Sequence, residues 1–204
     1  MFQLNEMQHD ALKELFNLGV GRAASSLSLI VQDEVELSTP EVLLVRPAEV
    51  ATTLLGSEFR QLSMVTIDFA GPFDAEAILL FPERNALAIV SHMLDPRMSP
   101  EELSEFEQEA MCEIGNIILN ACISSLADEF GVEFQGGLPT HYFSDTHSLP
   151  IFGHDEEQVV LLLQIHLTMR QERIQGHLIF LLNVSSLTAL LDCVDAYLAR
   201  FGFA

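Results

Sequence analysis

The chain has 204 residues, 49% of them hydrophobic, and a formal net charge of −21. That length supports one compact domain with a sizeable core over residues 1–204, or two small half-domains. So acidic a surface repels nucleic-acid phosphates and anionic lipid, which argues against nucleic acid and membrane as partners and for a basic or mixed-charge protein; acidity also serves solubility alone.

No run reaches the roughly 18 unbroken apolar residues of a membrane helix. The longest candidate, Val159 to Leu167, is cut by Gln164 and His166. The start, Met1-Phe2-Gln3-Leu4-Asn5-Glu6, lacks the basic region and apolar core of a secretory signal, so a cytoplasmic location is expected. Cys112, Cys122 and Cys193 form no Cys-x-x-Cys pair and are expected to be reduced thiols.

The first element is a long helix. Asn5 is a good N-cap with Gln8 placed to close a capping box, and the helix is expected to run to about Gln32. An extended segment follows around Pro40. Two β-rich runs, Gln61 to Ala70 and Ala75 to Phe81, are joined by Gly71-Pro72-Phe73-Asp74, which predicts an antiparallel hairpin. A helix from about Glu83 to Leu94 closes this unit.

The same order then recurs. A helix capped by Ser104, with Glu107 in the box position, is predicted to run to about Gly131. Pro139 marks the extended segment, and His141 to Glu157 reads as a polar loop. Strands are expected over Gln158 to Met169 and Ile174 to Leu182, then a helix over Ser185 to Arg200. The loop's His141, His147 and His154, with Asp145 and Asp155, match no metal-ligand spacing, so no metal site is predicted.

An offset of 99 aligns the two units. From Asn5 to Pro40 it brings nine identities into register without a gap: Glu6, Ala11, Glu14, Asn17, Ser25, Ser26, Leu27, Glu34 and Pro40 meet Glu105, Ala110, Glu113, Asn116, Ser124, Ser125, Leu126, Glu133 and Pro139. The chain therefore reads as two repeats, about 1–99 and 100–204. The expected fold class is α/β (α+β): two pseudo-symmetric repeats of long helix, antiparallel strands and closing helix.

At 100° per residue, Asp10, Glu14, Asn17 and Gly21 form one stripe of the first helix. Leu12, Leu15, Phe16, Gly19, Ala23, Leu27 and Ile30 fall opposite, on the face a core would take. The second helix repeats the pattern, with Glu109, Glu113, Asn116 and Asn120 outward and Met111, Ile114, Ile118, Leu119, Cys122 and Leu126 inward. A solvated face explains one such stripe. Two copies, each with an asparagine three residues after a glutamate, fit that explanation less well, because asparagine is a poor mid-helix residue. Gly21 on the stripe leaves room for another molecule to approach.

The longer pattern is Asp10-x3-Glu14-x2-Asn17-x22-Pro40, repeated as Glu109-x3-Glu113-x2-Asn116-x22-Pro139. Here the chain resembles the CheC/CheX/FliY family of response-regulator phosphatases, whose signature is Asp or Ser, then Glu, Asn and Pro at these separations. Two motifs in about two hundred residues are similar to CheC-type members in particular. Glu109 departs from the family's Asp or Ser. The resemblance implies that the chain hydrolyses the aspartyl phosphate of a CheY-like receiver. It implies that Asn17 and Asn116 orient the attacking water while Glu14 and Glu113 engage the receiver's lysine. Asp10, Gly21, Pro40, Glu109, Asn120 and Pro139 would flank the motif or touch the partner. No cofactor is expected on this chain, and Mg²⁺ is expected on the receiver. Many CheC-like proteins bind CheD, a receptor-modifying deamidase, so the resemblance adds it as a candidate partner. The alternative is a receiver-binding scaffold or phosphate sink without catalysis, as in the related flagellar switch protein FliM, whose similar domain lacks the Glu/Asn pair. A metabolic enzyme finds no support: the chain has no Gly-rich phosphate loop, Gly-x-Ser-x-Gly or His-Glu-x-x-His.

Overall fold

The computed structural model describes residues 3–47, 49–50, 61–94, 98–145, 158–169 and 172–203. Helix α1 (Glu6–Val31) starts at the expected capping box: the Gln8 N–H donates to Asn5 Oδ1 at 2.8 Å, and the Asn5 N–H donates to Gln8 Oε1 at 3.2 Å. Strands β1 (Val35–Leu37), β2 (Glu41–Val45), β3 (Gln61–Ala70) and β4 (Ala75–Pro82) follow, then helix α2 (Glu83–Met93). The second repeat supplies α3 (Pro100–Phe130), β5 (Gln135–Gly136), β6 (Thr140–Asp145), β7 (Gln158–Met169), β8 (Glu172–Asn183) and α4 (Val184–Ala199).

The eight strands of the described residues form one antiparallel sheet, ordered β1-β7-β8-β4-β3-β5, with β2 also beside β7 and β6 also beside β3. The order reads the same from either end once the repeats are exchanged. Its centre is the β4–β8 junction, where Leu79 faces Leu178, a residue 99 positions later. Each flank is crossed: the short leading strands of one repeat pair with the third strand of the other.

The helices and one face of the sheet share the main core, which includes Leu12, Leu15, Phe16, Met111, Ile114, Ile118, Leu79, Phe81, Leu178 and Phe180. Phe81 lies over Gly176, where a Cβ would come within 2.2 Å of its ring. On the opposite face a smaller cluster gathers Leu62, Met64, Ile78, Leu80, Val160, Leu162, Ile179 and Leu181. His177 is buried, its Nδ1 has no partner among the described residues, and burial, with His166 nearby, pushes its imidazole down to about 4.

Three expectations change. Helix α3 starts earlier than predicted, at Ser99, whose side chain accepts from the Glu102 N–H while Glu102 accepts from the Ser99 N–H. Proline at the first helical position favours that start over Ser104, so Glu107 lies inside the helix body and faces inward, 2% exposed. The segment from His141 is also no loop as far as Asp145: β6 pairs with β3, and buried His141 hydrogen-bonds Ser63 Oγ through Nε2 at 2.8 Å. Periodicity missed β1, β2, β5 and β6 because they are short. Finally, Ile30, expected in the core, is 42% exposed. His147, His154 and Asp155 lie outside the described residues.

Helix α3 is long and apolar enough by composition to cross a membrane within Glu101–Phe130, its most apolar 18-residue stretch having a mean hydropathy of 1.4. Most of its apolar residues pack into this core, and its outer stripe carries Glu105, Glu109 and Glu113.

Candidate functional site

The paired helices α1 and α3 carry the two polar stripes. They cross where Gly19 meets Cys122, and an exposed ion pair from Arg22 to Asp128, at 2.6 Å, joins them further along. Gly115 lies against Val65 of β3, where a Cβ would come within 2.4 Å of a side-chain methyl. These two close contacts turn the apolar faces inward and leave the stripes outward. Glu14 and Glu113 are exposed, and Asn17 and Asn116 are partly buried. Asp10, Gly21 and Glu109 are exposed, Asn120 and Pro139 partly buried, and Pro40 buried. Neither Glu/Asn pair belongs to the core.

Each proline sits in the gap between two short strands. Near Pro40 the Ser38 N–H donates to the His166 carbonyl at 2.9 Å; near Pro139 the Gly137 N–H donates to the Asp68 carbonyl at 2.8 Å. A residue without an N–H fits a position where the ladder is interrupted. In each repeat the chain at or just after the proline is then tied to its own helix. In the second repeat Cys112 Sγ donates to the Pro139 carbonyl at 3.8 Å. In the first, His9 lies 3.2 Å from the Val42 carbonyl through Nε2 and 3.4 Å from Asp10 Oδ1 through Nδ1.

The second site opens into a cleft of about 470 Å³ lined by Glu109, Cys112, Glu113 and Pro139 with Met93, Leu94 and Phe106. The sequence pattern supplied Glu109, Glu113 and Pro139. It missed Met93 and Leu94, which arrive from the end of α2, and Phe106, an aromatic left 44% exposed just before the stripe. The exposure of Phe106 follows from its place on the wheel, beside Glu109 and Glu113. The first site differs: Gln8 Nε2 donates to Asp195 Oδ1 of α4 at 2.9 Å.

The amides differ as well. Asn120 Nδ2 donates to the Asn116 main-chain carbonyl and to Asn116 Oδ1, both at 2.8 Å. The amide of Asn17 has no such partner among the described residues, and the position equivalent to Asn120 is Gly21. Glutamate and asparagine three residues apart share one helix face, so each site offers one acceptor carboxylate and one donor–acceptor amide to a single visitor. Among the described residues no group of three or more His, Cys, Asp or Glu side chains gathers as a metal site would require.

The family model described as chemotaxis phosphatase CheX matches residues 63–161, and that described as the CheC-like family matches residues 7–44. Between them they span both Glu/Asn/Pro patterns. The chain is 21% identical over 210 residues to the CheY-P phosphatase CheC of Bacillus subtilis, covering 96% of this chain and 97% of that protein. The crystal structure of Thermotoga maritima FliY superposes with a TM-score of 0.78 at 15% identity, over 96% of this chain and 100% of that one. CheX from Borrelia burgdorferi, crystallised in a complex with CheY, BeF3 and Mg²⁺, superposes with a TM-score of 0.50 at 20% identity, over 81% of this chain and 96% of that one. FliM middle domains are also among the structural neighbours. The likeness to these solved structures is one of fold.

Proposed function

We infer that the chain is a member of the CheC-type chemotaxis phosphatase family, as its matches to the CheX and CheC-like family models and to CheC support, and that it hydrolyses the aspartyl phosphate of a CheY-like receiver at two sites, Glu14/Asn17 and Glu113/Asn116. The observation that carries this reading is the placement of both pairs, mid-helix and off the core, on the outward stripes of α1 and α3. A mid-helix asparagine brings no gain in helix stability, so its recurrence in both repeats is explained by a task.

An aspartyl phosphate is an acyl phosphate and already reactive. Water attacks phosphorus in line, the bond between phosphorus and the aspartyl oxygen breaks, and the free carboxylate and inorganic phosphate result. The receiver brings the Mg²⁺ that neutralises phosphoryl charge, and a lysine. This chain has only to hold water in line, a task to which phosphoryl transfer responds strongly. The amides of Asn17 and Asn116 suit it: they donate and accept, and they do not titrate. Glu14 and Glu113 meet the receiver's lysine and fix the docking register. In the second site Met93, Leu94 and Phe106 give the docked receiver an apolar rim.

The test is loss of receiver phosphate, followed by stopped flow, with wild type and with Asn17→Ala/Asn116→Ala. Wild type is expected to accelerate hydrolysis and the double variant to lose about 10²-fold or more in kcat while still binding. A double variant with wild-type rates refutes water positioning by these amides. No acceleration by wild type leaves the receiver-binding module, a reading to which the FliM neighbours lend their fold.

A further inference from the structure

The two sites share a motif but not a local hydrogen-bond pattern, and the difference lies one helical turn beyond the asparagine. The Asn116 main-chain carbonyl can only accept, so the atom of Asn120 that lies 2.8 Å from it is the NH₂. The same nitrogen lies 2.8 Å from the Asn116 side chain, and the atom facing it must therefore be the oxygen. The chemistry of the main-chain acceptor thus fixes both amides. Asn116 is held with Oδ1 on Asn120 and its NH₂ turned away, while Oδ1 keeps a second lone pair. Asn120 lies beside Gly136 of β5, where a Cβ would sit 3.4 Å from Asn120 Oδ1.

At the equivalent position of the first repeat, 99 residues earlier, stands Gly21. It offers no donor, and Asn17 keeps the rotational freedom that Asn116 has given up. Ordering a side chain costs conformational entropy, and a group fixed before the reaction does not incur that cost at the transition state.

We propose that Asn120 is a positioning residue: it locks the Asn116 amide, so that the second site turns over faster than the first. This rests on the phosphatase reading above and assigns within it a residue that acts through another.

The test isolates the second site with Asn17→Ala and adds Asn120→Ala or Asn120→Asp. Aspartate keeps the shape of asparagine and removes the donor. Each addition is expected to lower kcat about five-fold, the worth of one ordinary hydrogen bond, with KM unchanged. In parallel, ¹⁵N relaxation on the otherwise wild-type chain reads the side-chain NH₂ of Asn116. Its order parameter should exceed that of Asn17 and fall on Asn120→Ala. A Cβ at Gly21 meets nothing within 4 Å, so Gly21→Asn should raise the order parameter of Asn17. Unchanged kcat, or a rise in KM alone, overturns the proposal, as do equal order parameters for the two asparagines. If wild type gives no acceleration at all, the phosphatase reading fails, and the relaxation data alone decide whether Asn120 holds Asn116.

Discussion

A Cβ on Gly19 would lie 2.7 Å from the Cα of Cys122, so at this crossing the backbones of α1 and α3 approach as closely as a glycine permits. The obstacle is main chain, which cannot swing aside. Gly19→Ala should therefore push the helices apart and cost about 1–3 kcal/mol despite alanine's better helix propensity. Urea denaturation measures it. A variant as stable as wild type would show that the crossing has slack.

The two long helices end alike. Gln32, with φ 52°, and Gly131, with φ 70°, both adopt the left-handed conformation, and they occupy equivalent positions in the repeats. Glutamine is strained there and glycine is not. Gln32→Gly should raise stability by about 1 kcal/mol, read as an increase in the urea midpoint with an unchanged slope.

Glu14→Lys with Glu113→Lys places positive charge where we propose the receiver's lysine docks. Binding should weaken at least ten-fold, and most at low salt, because exposed charges are screened as ionic strength rises. Titration calorimetry at two salt concentrations checks both. Binding that is unaffected at low salt would take the glutamates out of the interface.

Glu107 is buried, its Oε1 has no partner among the described residues, and burial, aided by the Glu83 charge, raises its carboxyl to about 7. In the unfolded chain it titrates near 4.3. The folded protein therefore holds this proton more tightly. Its contribution to stability is complete below about pH 4 and is withdrawn as pH rises to 7. Glu107→Gln should match wild type near pH 4.5 and exceed it by about 1–3 kcal/mol at pH 8, the linkage cost of ionising a carboxyl whose pKa folding raises. Melting curves at the two pH values decide, and a gain that does not grow with pH counts against the assignment.

The sequence showed the long helices, the two hairpins and both Glu/Asn stripes because each rests on a signal several turns or residues long. The capping box at Asn5 was legible for the same reason: it is local chemistry. The start of α3 was misread because the repeat drew attention to Ser104, whereas Ser99-Pro100 carries a stronger signal that the first repeat lacks. Strands of two to six residues, such as β5 and β6, leave no periodicity to detect, and their partners lie far along the chain. The hydrogen bond from Asn120 to Asn116 was hidden in plain view at i+4 spacing, since spacing alone does not say whether two amides meet or face water. Met93 and Leu94 reach the second cleft only through the packing of α2 beside α3.

The crossed flanks of the sheet bear on how the chain matures during synthesis. Val45 finds its ladder partner in Val160, made 115 residues later. At about 5–20 residues per second, translation alone delays that pairing by roughly ten seconds. Through that interval β2 has no neighbour on the strand that will flank it, and the first half cannot finish ahead of the second. A ribosome that stalls between α2 and β7 would hold an open β edge, and this intermediate is the one most in need of a chaperone.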